Sequence, residues 1–196
     1  LAAEGRINSW NLRTGRLRED KDFERLQDVI DVFSRAPIYI DDEPSNSIMR
    51  MRSIARRMKA EHNVGLIIVD YLQLMMPRTN SDSVVQQVTE ISRSLKSLAR
   101  EIDVPVLALS QLNRAVESRG GEPRLSDLRD SGSIEQDADV VLFIHREYKD
   151  DNAGRDNVTK VLIAKHRNGP TGHVELYFDP EHASFTSIEK ADFGGF

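Results

Sequence analysis

An uninterrupted aliphatic run, Leu-Ile-Ile-Val at 66–69, constrains the fold of this chain more than any other stretch. Aliphatic side chains in a row, most of them β-branched, predict a strand buried on both faces, as at the centre of a parallel sheet. Asp70 follows the run and so ends the predicted strand. Open α/β sheets bind ligands at this end, and nucleotide hydrolases place there the carboxylate that holds magnesium. The run therefore matches a Walker B pattern, although a simple cap on the turn after a core strand would use the same residue.

The composition allows one buried core and limits the kinds of site that the chain can form. With 196 residues, of which 39% are hydrophobic, we expect a single domain over residues 1–196. The net charge of −5 excludes a generally basic nucleic-acid coat and still permits a local basic channel. The chain has no cysteine, which excludes disulfides and thiolate zinc sites, and its five histidines show no metal-ligand spacing.

The beginning of the chain and the lack of targeting patterns complete this general picture. The sequence opens with Leu-Ala-Ala and a polar, Arg-rich lead-in rather than with methionine. We therefore expect an N-terminally truncated piece of a longer protein. Neither a transmembrane run nor a signal peptide is recognisable, so we expect a cytoplasmic protein without a membrane partner.

Hydrophobic periodicity predicts three helices, at 21–35, 47–62 and 84–102. The first has Asp20 or Asp22 available as its N-cap and an apolar face of Phe23, Leu26, Ile30 and Phe33. The second carries a basic side that we interpret as solvated, because acidic residues precede it and offset part of its charge. The third has the most regular core-facing stripe, made of Val84, Val88, Ile91, Leu95, Leu98 and Ile102.

Strands alternate with these helices. We predict strands at 38–40, 104–111 and 139–144, and a C-terminal hairpin of strands at 158–164 and 173–178. A strand, a helix and another strand in succession indicate a parallel crossover. The predicted fold class is therefore α/β, with a mostly parallel central sheet flanked by helices and an antiparallel β-hairpin at its edge. A long polar stretch at 113–136 interrupts the pattern, and such loops tend to carry function.

Three of the predicted strands end in polar groups of different chemistry. These groups are Asp70, Ser110 with Gln111, and His145 with Arg146. The carboxyl ends of parallel strands lie side by side, so we expect the three groups to meet. A carboxylate for magnesium beside an amide that bonds a phosphate oxygen or a water is what a nucleoside triphosphatase needs. Gln111 alone could be an ordinary loop amide, but its position beside Asp70 favours a functional role.

Four strings in this sequence carry a specific pattern: LIIVDYLQLM at 66–75, VPVLALSQLNR at 104–114, LSDLRDSGSIEQDAD at 125–139 and IAKHRNGPTG at 163–172. Together they strongly resemble the C-terminal, RecA-like motor domain of DnaB-type replicative DNA helicases. Residues 13–17 and 37–42 are also similar to the family, so the resemblance covers nearly the whole chain. Four ordered motifs are far more specific than a lone Walker B match. The resemblance implies a RecA-like fold and an ATP-dependent DNA helicase.

The resemblance also implies roles for residues at the nucleotide site. Asp70 would be the Walker B carboxylate that binds Mg²⁺, and Gln111 would sense the γ-phosphate of ATP and relay its presence towards DNA. Lys165 and Arg167 would reach the γ-phosphate bound by the neighbouring subunit of a homo-hexameric ring. Arginine supplies charge-assisted donors, which makes its role chemically reasonable.

For DNA, the resemblance implies a pore loop that contains Arg129, Asp130 and Gly132 and that contacts the phosphates of single-stranded DNA. Glycine lets a backbone N–H approach a phosphate without a Cβ in the way. The whole protein would move along one DNA strand, unwind the duplex during DNA replication, and work with a primase and a helicase loader.

One motif of an ATP site is missing from the sequence. The phosphate-binding loop Gly-x-x-x-x-Gly-Lys-[Ser/Thr], or Walker A, does not occur in the 196 residues, so we expect the chain to be inactive alone. Two alternatives remain. A RecA-like recombinase or another RecA-fold ATPase would share the strand and Asp70 but not the strings at 111–114 and 165–170. A non-catalytic docking module for a loader or primase would need no Walker A loop.

Overall fold

A computed structural model describes residues 1–17, 19–43, 47–77, 83–113, 115–128, 132–146 and 157–188. The chain forms two compact units. The terminal unit comprises Leu1–Tyr39, Phe143–Leu162 and Gly172–Phe196, and the central unit comprises Ile40–Leu142 and Ile163–Thr171. The assignment of residues 1–196 to one truncated domain stays a prediction.

Seven helices and six strands lie within the described residues. The helices are α1 (Ala2–Gly5), α2 (Ser9–Thr14), α3 (Asp20–Arg35), α4 (Ile48–His62), α5 (Val84–Ile102), α6 (Ala115–Arg119) and α7 (Gly132–Asp137). The strands are β1 (Ile67–Val69), β2 (Val106–Ala108), β3 (Val140–His145), β4 (Val158–His166), β5 (Gly172–Asp179) and β6 (Ser184–Ser187). Short 3-10 turns cover Leu72–Leu74 and Leu125–Asp127. The α/β fold class is confirmed, with one parallel sheet and one four-stranded antiparallel sheet.

Strands β1 and β2 form the parallel pair of the central unit. Ile67 lies opposite Val106 and Val69 opposite Ala108, and helix α5 connects the two strands. This confirms the predicted crossover from strand to helix to parallel strand. Beside the pair lies a core of buried side chains from α4, α5 and the turn after β1, namely Ile48, Leu72, Met75, Ile91 and Leu95.

Helix α5 forms because its apolar stripe is buried and both of its ends are capped. The Ser83 hydroxyl accepts a hydrogen bond from the backbone N–H of Gln86, and Asp103 ends the helix in the left-handed conformation. The middle of the predicted stripe is buried, as expected: Val88, Ile91, Leu95 and Leu98. Val84 is instead 52% exposed, because the first turn of the helix extends past the core.

The prediction that the strand at 66–70 is buried on both faces is wrong for this chain. Val69, Val106 and Ala108 pack against the core, whereas Ile68 is 61% exposed and its neighbour Leu107 is also exposed. Successive side chains of a strand point to opposite faces. Among the described residues of the central unit, helices cover only one of these faces, so the other aliphatic face of the pair is open.

Two predictions near the N-terminus need correction. Helix α3 is present, but its N-cap is Glu19 rather than Asp20 or Asp22. Its buried residue is Val29, which packs beside Gly5 and Ile7, while most of the predicted apolar face is exposed: Phe23, Ile30 and Phe33. The strand predicted at 38–40 is absent, because these residues belong to neither of the two described sheets.

The polar stretch at 113–136 has secondary structure of its own, α6, a 3-10 turn and α7, rather than forming one long loop. The C-terminal hairpin prediction is confirmed, since β4 and β5 are neighbours in the sheet of order β3-β4-β5-β6. Strand β6, which was not predicted, extends this sheet. It pairs antiparallel with β5, and the rings of Phe178 and Phe185 pack at a tilt of 44° with their centroids 4.9 Å apart.

No helix in the described ranges is both long enough and apolar enough to cross a lipid bilayer.

Truncating Leu98 tests the α5 packing. Leu98 is 2% exposed, so Leu98→Ala should lower the free energy of unfolding by about 2–5 kcal/mol, through lost burial and the cavity left behind. Urea unfolding followed by circular dichroism measures this change. The control Val84→Ala removes an exposed side chain from the same helix and should change stability by about 0.5 kcal/mol or less. Equal losses in the two variants would contradict the assigned core.

Candidate functional site

Asp70 lies at the carboxyl end of the parallel pair. The N–H of Leu109 donates to the carbonyl of Val69 (2.9 Å), and the N–H of Leu72 donates to the carbonyl of Leu109 (2.9 Å). The segments that follow β1 and β2 therefore remain hydrogen-bonded to each other where they leave the sheet. The Asp70–Tyr71 peptide bond is cis. Asp70 is exposed, and its carboxylate makes no hydrogen bond or ion pair within the described ranges. It is therefore accessible to a ligand from solution.

A side chain that the sequence analysis missed, Gln73, connects the two strand ends. Its Nε2 donates to the hydroxyl of Ser110 (3.1 Å), and its Oε1 accepts from the N–H of Gln111 (3.4 Å). The side chain of Gln111 is left exposed. The sequence feature that could have indicated Gln73 is that it is a lone amide in the otherwise apolar run after Asp70. Asp70 and Gln111 thus lie at adjacent strand ends, as predicted, with Gln73 as the link between those ends.

The third predicted strand end belongs to a different sheet. Strand β3, which precedes Arg146 and ends at His145, is part of the four-stranded sheet and not of the β1–β2 pair, so the expectation of one parallel sheet that contains all three strand ends is wrong for the described residues. Arg146 donates to Oδ1 of Asn157 (2.7 Å) and lies 5.7 Å from the ring centroid of Phe178. Nε2 of His145 is buried and has no hydrogen-bond partner among the described residues. This cluster supports the terminal unit.

Lys165 and Arg167, at the end of β4, both contact the segment at 135–139. Nζ of Lys165 donates to the carbonyls of Glu135 (2.5 Å) and Gln136 (3.5 Å), at the C-terminal end of α7. Those carbonyls have no partner inside the helix, and a cation is favourable at this end of a helix. The two cations therefore reach the same segment, as the alternation of side chains along a strand predicts.

Asp139 is the centre of a cluster of charged groups. Its Oδ1 accepts from Nη1 of Arg167 (3.2 Å), its carbonyl accepts from the N–H of Arg167 (2.8 Å), and its other carboxylate oxygen pairs with Lys96 of α5. The hydrogen bond from Lys96, followed by that from Arg167, holds the pKa of Asp139 below its usual value. The sequence analysis did not single out Asp139 or Lys96, because the cluster combines residues far apart in the chain.

The stretch between Gln111 and the predicted DNA-contact residues is held by a second ion pair. Arg119 donates to both carboxylate oxygens of Asp127 (2.8 and 2.6 Å), and the N–H of Arg124 donates to the same carboxylate (2.8 Å). The carbonyl of Asp127 accepts from the N–H of Asn113 (2.9 Å). Hydrogen bonding from Arg119 lowers the pKa of Asp127, and the same bond raises the pKa of the guanidinium. The segment after Gln111 is therefore braced at its base.

The predicted DNA-contact residues are only partly covered by the structure. Arg129 and Asp130 lie outside the described residues. Gly132 begins α7 and is exposed, and among the described residues beyond its own helix and chain neighbours no atom lies within 4 Å of the position that a Cβ would occupy. The backbone of Gly132 is therefore accessible from outside.

Two general features of the described residues bear on the site. They contain no group of three or more His, Cys, Asp or Glu side chains arranged to bind a metal ion. Mg²⁺ in nucleotide sites commonly uses one or two carboxylates together with the phosphates of the substrate, so the single carboxylate of Asp70 fits that kind of site. A groove of about 500 Å³ between α4 and α5 contains none of the predicted site residues.

Comparisons with known proteins agree with this picture. Residues 1–187 match the family described as DnaB-like helicase C terminal domain. The chain is 48% identical over 193 residues to the replicative DNA helicase DnaB of Geobacillus stearothermophilus, and the match covers 97% of the chain and 42% of that protein. It is 45% identical over 212 residues to DnaB of Rickettsia prowazekii (strain Madrid E), with 98% and 43% covered. The chain thus spans less than half the length of these curated relatives.

Two solved structures share the fold. One, described as an ATPase domain, superimposes with a TM-score of 0.88 at 40% identity, over 96% of this chain and 68% of that one. A DnaB-like replicative helicase, whose structure is described together with its interactions with primase, gives 0.88 at 41% identity, over 96% and 46%. With the matching family profile and the paired strand ends at Asp70 and Gln111, the chain belongs to the family of DnaB-like helicase C-terminal domains.

Proposed function

We propose that this chain is the motor part of a hexameric, ATP-dependent replicative DNA helicase that moves along single-stranded DNA and unwinds the duplex. The observation that carries the proposal is the shared end of β1 and β2, where an accessible carboxylate, Asp70, and an exposed amide, Gln111, lie on adjacent strand ends. Membership of the DnaB-like family supports the same interpretation. The nucleotide would bind at this end, as it does in open α/β sheets.

In this proposal, Asp70 is the carboxylate that holds Mg²⁺. The ion, when bound with ATP, neutralises charge on the β- and γ-phosphates during phosphoryl transfer. Asp70 suits this role because it is exposed and makes no ion pair with the described residues. The sequence contains no Walker A loop, so ATP binding would need phosphate-binding groups from elsewhere in the whole protein, and the chain alone would not hydrolyse ATP.

Gln111 would sense the γ-phosphate. Its backbone N–H is tied to Gln73, while its side-chain amide remains exposed and can bond a phosphate oxygen or a water. The stretch that follows Gln111 runs to the 3-10 turn at Leu125–Asp127, which the Arg119–Asp127 pair braces. A shift of Gln111 on nucleotide binding would therefore be passed along this braced stretch towards the residues that follow Asp127.

Lys165 and Arg167 would act on ATP bound by the neighbouring subunit. Both are cations at the end of one strand, and Arg167 is exposed with a side-chain accessibility of 62%. An arginine that stabilises charge on a transferring phosphoryl group in this way contributes about 10³–10⁵ in rate. An exposed ion pair that served only the surface of its own subunit would contribute little.

Single-stranded DNA would be bound through its phosphates by a pore loop that contains Arg129, Asp130 and Gly132. Gly132 supports this role with an accessible backbone, and the net charge of −5 means that DNA affinity must come from local groups assembled in the ring. A primase and a helicase loader are the proposed protein partners, and the cytoplasm is the proposed location. The solved relative that is described with its primase interactions supports the first of these partners.

A non-catalytic docking module is the second candidate, and the missing Walker A loop is the feature that favours it.

The first test decides between the helicase motor and the docking module. In the full-length protein, Asp70→Asn should keep the fold and lower Mg²⁺-dependent ATP hydrolysis by more than about 100-fold. Mutating a residue that only hydrogen-bonds to a metal ligand already lowers metal affinity or activity by about 10–100-fold, and here the ligand itself is changed. Phosphate release measures the rate, and thermal unfolding measures the fold.

Asp103→Asn is the matched control for Asp70→Asn. It removes the same charge from the same unit, at a left-handed position that Asn also adopts, and should leave hydrolysis unchanged. Wild-type protein that hydrolyses no ATP would establish the docking module instead. Loss of the folding transition in Asp70→Asn, with activity that follows the folded fraction, would make Asp70 a structural cap.

The assignment of Arg167 to the neighbouring site is tested by mixing subunits. Full-length Arg167→Ala should lose about 10³-fold or more in rate. Mixed with Asp70→Asn subunits, it should regain part of the activity, because some borders then combine an intact Asp70 with an intact Arg167 from the next subunit. Steady-state hydrolysis of rings with known subunit ratios measures the recovery.

The control for mixing replaces Asp70→Asn subunits with the double variant Asp70→Asn/Arg167→Ala, which supplies neither group and should restore nothing. If mixed rings form but remain inactive with the single variants as well, the assignment to the neighbouring subunit is wrong.

Salt dependence tests the DNA contact of Arg129. Arg129→Ala in the assembled hexamer should weaken binding of single-stranded DNA about equally for different sequences and lower the salt slope by roughly 0.7 per lost phosphate contact. Fluorescence anisotropy at several salt concentrations measures the slope. Arg93→Ala, on the exposed side of α5, serves as a control of equal charge change. An unchanged slope in Arg129→Ala would exclude the phosphate contact.

A further inference from the structure

We infer that Asp139 is a positioning residue that holds Arg167 within its own subunit and competes with the γ-phosphate of the neighbouring subunit for it. The inference rests on the proposed role of Arg167 in the neighbouring site and adds the regulation of that site. It assigns a function to Asp139 and, through it, to Lys96.

Arg167 is held by Asp139 at two points, through its side chain and through its backbone. Nη1 donates to Oδ1 of Asp139 (3.2 Å), and the N–H of Arg167 donates to the carbonyl of the same residue (2.8 Å). The backbone bond fixes the start of the turn after β4, whereas the side-chain bond can exchange without moving the chain. Asp139 therefore determines the position of the Arg167 guanidinium in the absence of a nucleotide.

The side-chain pair is weak enough to be exchanged. The side chain of Arg167 is 62% exposed and that of Asp139 is 53% exposed. Such a pair shifts an equilibrium by about five-fold at most. A γ-phosphate offers more negative charge and several acceptor oxygens, so it can take Arg167 away from Asp139. The pair lowers the apparent affinity for ATP without preventing its binding.

Lys96 adjusts how strongly Asp139 holds Arg167. It reaches the carboxylate from α5 and pairs with Oδ2, while Arg167 pairs with Oδ1. Part of the negative charge of Asp139 is thus neutralised by Lys96. Removing Lys96 leaves the full negative charge of Asp139 to Arg167 and strengthens the ion pair between Asp139 and Arg167. Neutralising Asp139 removes this ion pair and releases the Arg167 side chain. The two changes have opposite effects.

Lys165 does not depend on this carboxylate. Its ammonium is held by the carbonyls of Glu135 and Gln136 at the end of α7. Neutralising Asp139 therefore changes the position of Arg167 and leaves the contacts of Lys165 in place. This separation makes Asp139 specific for one of the two cations.

The test uses full-length hexamers and two single variants, Asp139→Asn and Lys96→Met. Asp139→Asn should lower KM for ATP, by up to about five-fold, with kcat within about two-fold of wild type. Lys96→Met should raise KM, and the double variant should behave like Asp139→Asn, because Lys96 acts only through the carboxylate. Calorimetric titration with the non-hydrolysable analogue AMP-PNP and Mg²⁺ should show the same opposite shifts in Kd.

A merely structural cluster gives a different pattern. Both variants would then lower the melting temperature and change KM in the same direction or not at all, and this outcome overturns the inference. A fall in kcat of Asp139→Asn with unchanged KM overturns it as well. Failure of the proposed function is seen separately: Arg167→Ala would then hydrolyse ATP at the wild-type rate, whereas an inactive Arg167→Ala with no opposite shifts rejects only the role of Asp139.

Discussion

The parallel pairing of β1 with β2 is the interaction on which the candidate site depends. Because Val69 and Ala108 are partners in register, the residues that follow them leave the sheet at the same edge. Helix α5 makes this pairing possible, because two parallel strands need a connection that brings the chain back to the beginning of the sheet. The buried stripe of α5 holds this connecting helix against the core. A carboxylate and an amide that are far apart in the sequence, Asp70 and Gln111, become neighbours for this reason alone.

The charged groups around the site differ in how firmly they are held. Asp127 is buried, and all of its described partners lie in its own short stretch, so this pair braces the chain. Asp139 is half exposed and shared by two cations from different elements. The first arrangement suits a fixed support, and the second suits a contact that a phosphate can replace. The same types of residue thus serve rigidity in one place and exchange in another.

The open aliphatic face of the β1–β2 pair shows how burial depends on context. Ile68 and Leu107 have the composition of a strand buried on both sides, yet both are exposed here. The sequence pattern indicates that both faces of a strand can be buried, but the elements that pack against the strand decide which faces are buried. The same holds for α3, where Phe23 and Ile30 are exposed although the amphipathic pattern is clear.

The sequence by itself determined the α/β class, the α5 stripe, the strand that ends at Asp70 and the C-terminal hairpin, because local periodicity and turn chemistry act over a few residues. It also determined the family, through ordered motifs. Tertiary structure alone decided that Gln73 links the two strand ends and that Asp139 holds Arg167 and Lys96 together. These contacts join residues tens of positions apart, and only the packing of α5 against its neighbouring elements specifies them.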